Sequence, residues 1–260
     1  MIDSKRRLRA LPLAASLLAL MAGAAEARPM DRFVFDHDGI RLEITAPRAD
    51  IVRIRAGKDS LPEDASWAVS TDVRGHHVAL DVVEANGAAE INTGAVHVHL
   101  DEQTLAVTVL DASGRVILAD APGQSLSFEN GGFRLRKAMP DDEHFFGLGD
   151  KTGPLDRREQ AFTLWNTDAY RFQESTDPIY KSIPFFMTYR AGIAAGVLLD
   201  DTWRSSFDFG RELPGIYSFG AVNGPLDYYV MAGPDPKAVE GQYAYLTGAA
   251  PLAPLWTLGF

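Results

Sequence analysis

Apolar and polar residues alternate with a period of two over most of the first 135 positions. Val96, Val98 and Leu100 alternate with His97 and His99, Asp101-Glu102-Gln103 can turn the chain, and Leu105, Val107 and Val109 alternate on the return. Asp111-Ala112-Ser113-Gly114 is a second turn signal, with Arg115 to Leu118 as the next strand. Phe33 to Pro47 and Ile51 to Ala56 fit the same scheme. Short strands with polar turns at close spacing predict antiparallel sheets packed as a sandwich, an all-β fold. Further on, Ile193 to Leu199 and Leu226 to Met231 are nearly continuous apolar runs, as expected of strands covered on both faces. One helix is predicted late in the chain. Asp235 caps it, Pro236 takes its first position, and Gly248 ends it. Val239, Tyr243 and Leu246 fall on one face. Pro251 and Pro254 then mark a linker.

The first 27 residues break this pattern. Lys5, Arg6, Arg7 and Arg9 precede an apolar stretch from Leu11 to Gly23, and Ala25-Glu26-Ala27 supplies a small-x-small cleavage site. This reads as a secretory signal, giving a periplasmic or secreted product. The apolar run is too short for a stable membrane anchor, which needs about 20 residues. The formal net charge of −10 excludes nucleic acid and anionic membrane as natural partners. The chain has no cysteine, so neither disulfides nor thiolate zinc sites support it, and a 46% apolar composition must build the core.

Two stretches carry candidate chemistry. Phe145-Phe146-Gly147-Leu148-Gly149-Asp150-Lys151-Thr152-Gly153 places a Lys-Thr pair after glycines, superficially like a phosphate loop, but Gly153-Pro154-Leu155-Asp156 starts a helix poorly. Leu164-Trp165-Asn166-Thr167-Asp168-Ala169-Tyr170, continuing through Thr176 to Phe186, is rich in aromatics, Asn, Thr and Asp. Such a set suits sugar recognition, because rings pack on C–H faces and a carboxylate accepts hydroxyl protons. The competing reading is a long surface loop held by local Asp and Asn turns. The adjacent acids Asp141-Asp142 and Asp200-Asp201 read as solvated or turn residues, since neighbours on a strand face opposite ways. His97 and His99 share a strand face and can chelate a metal, but no third ligand lies near in sequence, so no metal or cofactor is expected.

The segments Gly147 to Gly153, Trp165 to Ala169 and Asp177 to Phe185, in that order and spacing, resemble glycoside hydrolase family 31, which includes α-glucosidases and α-xylosidases. Asp150 stands where that family commonly has Glu. The resemblance implies a galactose-mutarotase-like β-sandwich over residues 28–248, after a signal at 1–27. Residues 249–260, with Pro254 to Phe260, then match a linker and the first strand of a truncated (β/α)₈ catalytic barrel. It implies that Asp168 reaches from this domain toward the substrate, and that the partners are an α-linked oligosaccharide and the catalytic barrel. Trp165 and Phe185 are expected to pack the loop, and Asp177, before a proline, to form a turn. The family's retaining hydrolysis needs two carboxylates about 5 Å apart. Its Trp-x-Asp-Met-Asn-Glu nucleophile motif is absent from this chain, so no catalytic residue is assigned within it and the chain alone is expected to be inactive. A freestanding carbohydrate-binding module is the alternative, and mutarotase activity is supported by fold analogy only.

Overall fold

The computed structural model describes residues 28–259, so the expected signal at 1–27 lies outside the described residues. The first strands are β1 (Arg28–Met30), β2 (Phe33–His37), β3 (Ile40–Arg48) and β4 (Ile51–Lys58), before a short helix α1 (Thr71–Gly75). A meander follows: β5 (Leu80–Ala85), β6 (Ala88–Asn92), β7 (Val96–Asp101), β8 (Val107–Asp111) and β9 (Val116–Ala119). Next come β10 (Leu126–Glu129), β11 (Gly132–Ala138), β12 (His144–Gly149), β13 (Ala161–Leu164), β14 (Ser182–Arg190) and β15 (Ile193–Leu199). The last are β16 (Ser205–Asp208), β17 (Ile216–Ala221), β18 (Leu226–Gly233) and helix α2 (Pro236–Thr247).

The strands form three sheets, ordered β1-β5-β6-β7-β8-β9, β10-β11-β17-β16-β13 and β12-β14-β15-β18-β4-β3-β2. Neighbouring strands run antiparallel. Alternation built these sheets as predicted: in β7, Val96, Val98 and Leu100 are buried while His97 and His99 lie on the wetter face. One face of the seven-stranded sheet meets the other two sheets in the main core, where Phe145, Phe186, Phe207, Phe209 and Tyr217 pack ring against ring. The whole of β15 is buried, as its apolar run predicted, because a second cluster covers its other face.

Helix α2 supplies that cover. The Asp235 carboxylate accepts the Ala238 N–H at 2.8 Å, and Val239 and Leu246 are buried against Ala194, Leu198 and Met231. Gln242 docks it further by donating to Asp50 at 2.8 Å and to the Ala232 carbonyl at 2.7 Å. Phe185 packs on Tyr243 of this helix with tilted rings whose centroids are 4.3 Å apart, so it is a packing residue, though against the helix and not the loop. Leu255–Thr257, expected as a strand, forms a single exposed 3-10 turn. An isolated extended segment has no neighbour for its backbone groups, whereas the turn satisfies them locally, with Thr257 N–H donating to the Pro254 carbonyl at 2.9 Å.

The rest of the second face is covered by residues 59–75. Arg53, buried on β4, bridges two carboxylates: it donates to Asp227 on β18 at 2.9 and 2.6 Å, and to Asp64 at 3.0 and 2.8 Å. Arg74 reaches back to Asp64 at 2.7 Å. The segment is thus fastened to the sheet by charge rather than by a large apolar face, with Val69 its buried anchor.

Candidate functional site

The loop between β13 and β14 carries the sugar-like composition, and its geometry is built from its base upward. Gly147 and Gly149 adopt φ of 127° and 78°, which L side chains rarely reach. A Cβ on either would meet a backbone carbonyl at 2.6 Å, of Phe185 or Lys181. These glycines therefore let β12 bulge tightly against the start of β14, at the foot of the loop. Lys151 is turned inward. Its ammonium donates to the Thr163 carbonyl at 2.7 Å and to Asp177 at 3.0 Å, and its side chain is 1% exposed. It is consumed as an internal tie and offers no cation to a phosphate. Asp177, expected as a local turn former, instead closes the loop across to Lys151 and the Thr163 N–H.

Two further ties stiffen the loop. Thr167 and Tyr180 exchange backbone hydrogen bonds at 3.2 and 2.7 Å, and the Asn166 carboxamide oxygen accepts the Ser182 N–H at 2.8 Å. Asp168 follows directly. Its carboxylate is exposed and makes no hydrogen bond among the described residues. A turn-forming Asp accepts a nearby N–H, and this one does not. Tyr170, Phe172 and Tyr180 are exposed rings of the same loop, the last two edge to face at 5.8 Å. A free carboxylate on a pinned backbone, in a loop that also exposes rings, can act as a hydroxyl acceptor.

The structure also brings together residues that the sequence reading kept apart. A cleft of ≈ 370 Å³ opens beside the loop, lined by Trp67, Trp165, Trp203, Ser182, Asp200 and Asp201 among others. Trp165 is 51% exposed here, so it does not pack the loop as expected. The reading of Asp200-Asp201 as solvated or turn residues is also corrected. Strand β15 ends at Leu199, so alternation no longer separates them, and both face the cleft half-buried. Burial pushes both carboxyls up to about 6. Asp200 takes the Ser66 hydroxyl at 2.8 Å, and Asp201 takes the Trp203 N–H at 2.6 Å. Asp141 and Asp142 are exposed in a turn, as expected. His99 pairs with Glu90 at 2.6 Å, and no group of three or more metal-ligating side chains occurs among the described residues.

The raised Asp201 carboxyl makes stability depend on pH. Its folded-state value lies above the ordinary 3.8, so ionising it costs folding free energy. Stability from this group is full below about pH 4 and is lost as pH rises through about 6. Asp201→Asn, which keeps the acceptor for the Trp203 N–H, is expected to be more stable than the parent at pH 8 by about 1–3 kcal/mol. The gain is expected to vanish at pH 4. Urea denaturation of both proteins at the two pH values checks it; a constant difference at both refutes the burial argument.

Comparison with known proteins fits this geometry. The family model for the "Glycosyl hydrolase 31 N-terminal galactose mutarotase-like domain" matches residues 41–208. Alpha-glucosidase 2 of Bacillus thermoamyloliquefaciens is 38% identical over 233 residues, covering 88% of this chain and 29% of that protein. The alpha-xylosidase XylQ of Lactiplantibacillus pentosus is 35% identical over 126 residues, covering 48% of this chain and 16% of that protein. Among solved structures, a Flavobacterium johnsoniae GH31 dextranase complexed with isomaltotriose superposes with a TM-score of 0.82 at 32% identity, covering 91% of this chain and 29% of that one. The chain thus spans less than a third of the length of these relatives. Its mutarotase-like sandwich, its Gly147–Gly153 and Trp165–Ala169 segments and these matches together place the chain in glycoside hydrolase family 31, as that family's N-terminal domain.

Proposed function

We propose that this chain is the N-terminal sandwich of an exported, retaining α-glycosidase, and that it presents Asp168 to the sugar. The observation that carries the second point is the Asp168 carboxylate itself: exposed, without a hydrogen-bond partner among the described residues, and next to a backbone pinned by the Thr167–Tyr180 pairing. The relatives named as alpha-glucosidase, alpha-xylosidase and dextranase support α-glycosidic bonds as the substrate class. The two catalytic carboxylates belong to the barrel in this reading, and the sandwich contributes binding.

In a full-length enzyme carrying this sandwich, Asp168→Ala is expected to lower kcat/KM at least about tenfold while leaving Tm unchanged. A hydrogen bond to a charged group is worth about 1.5–3 kcal/mol, and the loss reads directly as transition-state binding. A structural Asp would give the opposite pattern, a lowered Tm with unchanged kinetics, and that result removes the assignment.

Export rests on the basic, apolar and Ala-x-Ala pattern of residues 1–27. Protein recovered from its native cells is expected to begin near Arg28 by mass spectrometry; an intact Met1 refutes export by cleavage. A second reading, a freestanding carbohydrate-binding module, draws on the tryptophan-lined cleft. It predicts binding of α-glucans by a protein in which no glycosidase activity accompanies the sandwich.

A further inference from the structure

Three of the chain's four tryptophans meet at one cleft although they lie far apart in sequence. Trp67 comes from the segment fastened by Arg53, Trp165 from the loop after β13, and Trp203 from the turn between β15 and β16. They are 95%, 51% and 51% exposed. Large rings exposed together on a folded surface lose the free energy their burial would provide, and such patches mark binding sites. The floor is polar. Asp200 and Asp201 stand there, and two buried oxygens of the lining, Asp200 Oδ2 and Ser182 Oγ, have no hydrogen-bond partner among the described residues. Leaving a buried polar atom without a partner is costly, so two on one cleft point to a ligand that satisfies both.

We propose that this cleft binds one pyranose ring of a neutral saccharide, with the ring's C–H face on tryptophan and its hydroxyls on Asp200 and Ser182. The chemistry selects this class. A carboxylate oxygen accepts only, whereas a serine hydroxyl donates and accepts, and a pyranose edge offers groups that do both. The volume of ≈ 370 Å³ sits at the low end of small-ligand pockets, which suits a single ring. The two carboxylates and the net charge of −10 disfavour an acidic ligand. A quaternary ammonium would satisfy the rings but has no proton to give Asp200. The inference deepens the carbohydrate reading above without resting on Asp168, whose carboxylate is not part of this lining.

The test follows the four tryptophan indole N–H signals of the purified chain by NMR during titration with isomaltotriose and, separately, maltotriose. Saturable shifts are expected for Trp67, Trp165 and Trp203 but not for Trp256, which lies outside the cleft. Trp203→Ala and Asp200→Asn are each expected to weaken binding at least about fivefold, and Trp256→Ala, outside the cleft, to leave it within twofold. The wild-type titration stands if the Trp203 variant does not fold. Loss of binding in Asp168→Ala but not in Trp203→Ala overturns the cleft while sparing the Asp168 reading. Absence of saturable shifts with either sugar overturns the proposal and assigns the tryptophans to a polypeptide contact. Stronger shifts with choline than with sugar overturn it in favour of a cation cage.

Discussion

Lys137→Met is expected to cost about 3–5 kcal/mol of folding stability, the largest loss from a single polar side chain in this domain. Lys137 is 0% exposed, at the centre of the sandwich. Its ammonium pairs with Asp120 at 2.5 Å, donates to the Tyr228 hydroxyl at 3.0 Å, and lies 4.9 Å from the Tyr228 ring centroid. Asp120 in turn accepts the Val107 N–H at 2.9 Å. Lys137 is on β11, Val107 on β8 and Tyr228 on β18, so this one group of contacts joins all three sheets. Burial depresses the lysine, and Asp120 opposes that through its charge and its hydrogen bond. Methionine keeps the stem but leaves the Asp120 charge buried and unpaired. The loss is therefore expected to shrink as pH falls, because the stranded carboxyl binds a proton more readily in the folded state than in the unfolded one. Adding Asp120→Asn to Lys137→Met is expected to restore most of the stability at pH 7, since the amide still accepts the Val107 N–H without a charge. Urea denaturation of the single and double variants measures all three quantities. A single-variant loss below about 1 kcal/mol would show that the pair can be dissolved at little cost.

Arg53→Met is expected to cost about 3 kcal/mol and to loosen the cleft as well as the fold. Burial by itself would depress the guanidinium, but its hydrogen bonds to Asp227 and Asp64 outweigh that and hold it above its ordinary value. The same contacts, with Arg74, hold Asp64 well below the usual carboxylate range despite its partial burial. Losing Arg53 leaves Asp227 with Arg55, whose Nε is 3.2 Å away, so the charge is only partly stranded. The larger effect falls on residues 59–75, which lose their ion pair to the sheet and keep the hydrogen bonds of Arg55 to the Pro62 carbonyl and of Ser66 to Asp200. Ser66 and Trp67 lie in that segment, and Ser66 donates to Asp200 at 2.8 Å. Amide hydrogen exchange is expected to speed up over residues 62–70 well before the core strands respond. Uniform acceleration across the domain would instead mean that Arg53 supports the sheet and not the segment.

These two sites mark the division between what was legible along the chain and what was not. Strand alternation in β7 and β8, the fully apolar β15 and the Asp235–Pro236–Gly248 frame of α2 are local signals, set by which face of each element meets water. The Gly147–Gly153 and Trp165–Ala169 segments were legible for the same reason: a turn that needs positive φ and a loop closed on itself write their requirements into neighbouring residues. The interest of Asp168 came instead from the family resemblance of its segment, since composition alone reads there as a surface loop. The Lys137–Asp120 pair, the Arg53 bridge and the cleft of Trp67, Trp165 and Trp203 were not legible along the chain. Their members are separated by up to 174 residues, as Arg53 and Asp227 are, and no periodicity links them. Asp200 and Asp201 show how this misleads: read along a strand they face opposite ways, but the strand stops one residue earlier and both turn to one cleft. Sequence alone determined the sheets and the helix, because local sterics and hydrophobic patterning act between near neighbours. The tertiary structure decided which charges are buried together and which rings share a surface, because those depend on strand order, and strand order is set by packing across the whole sandwich.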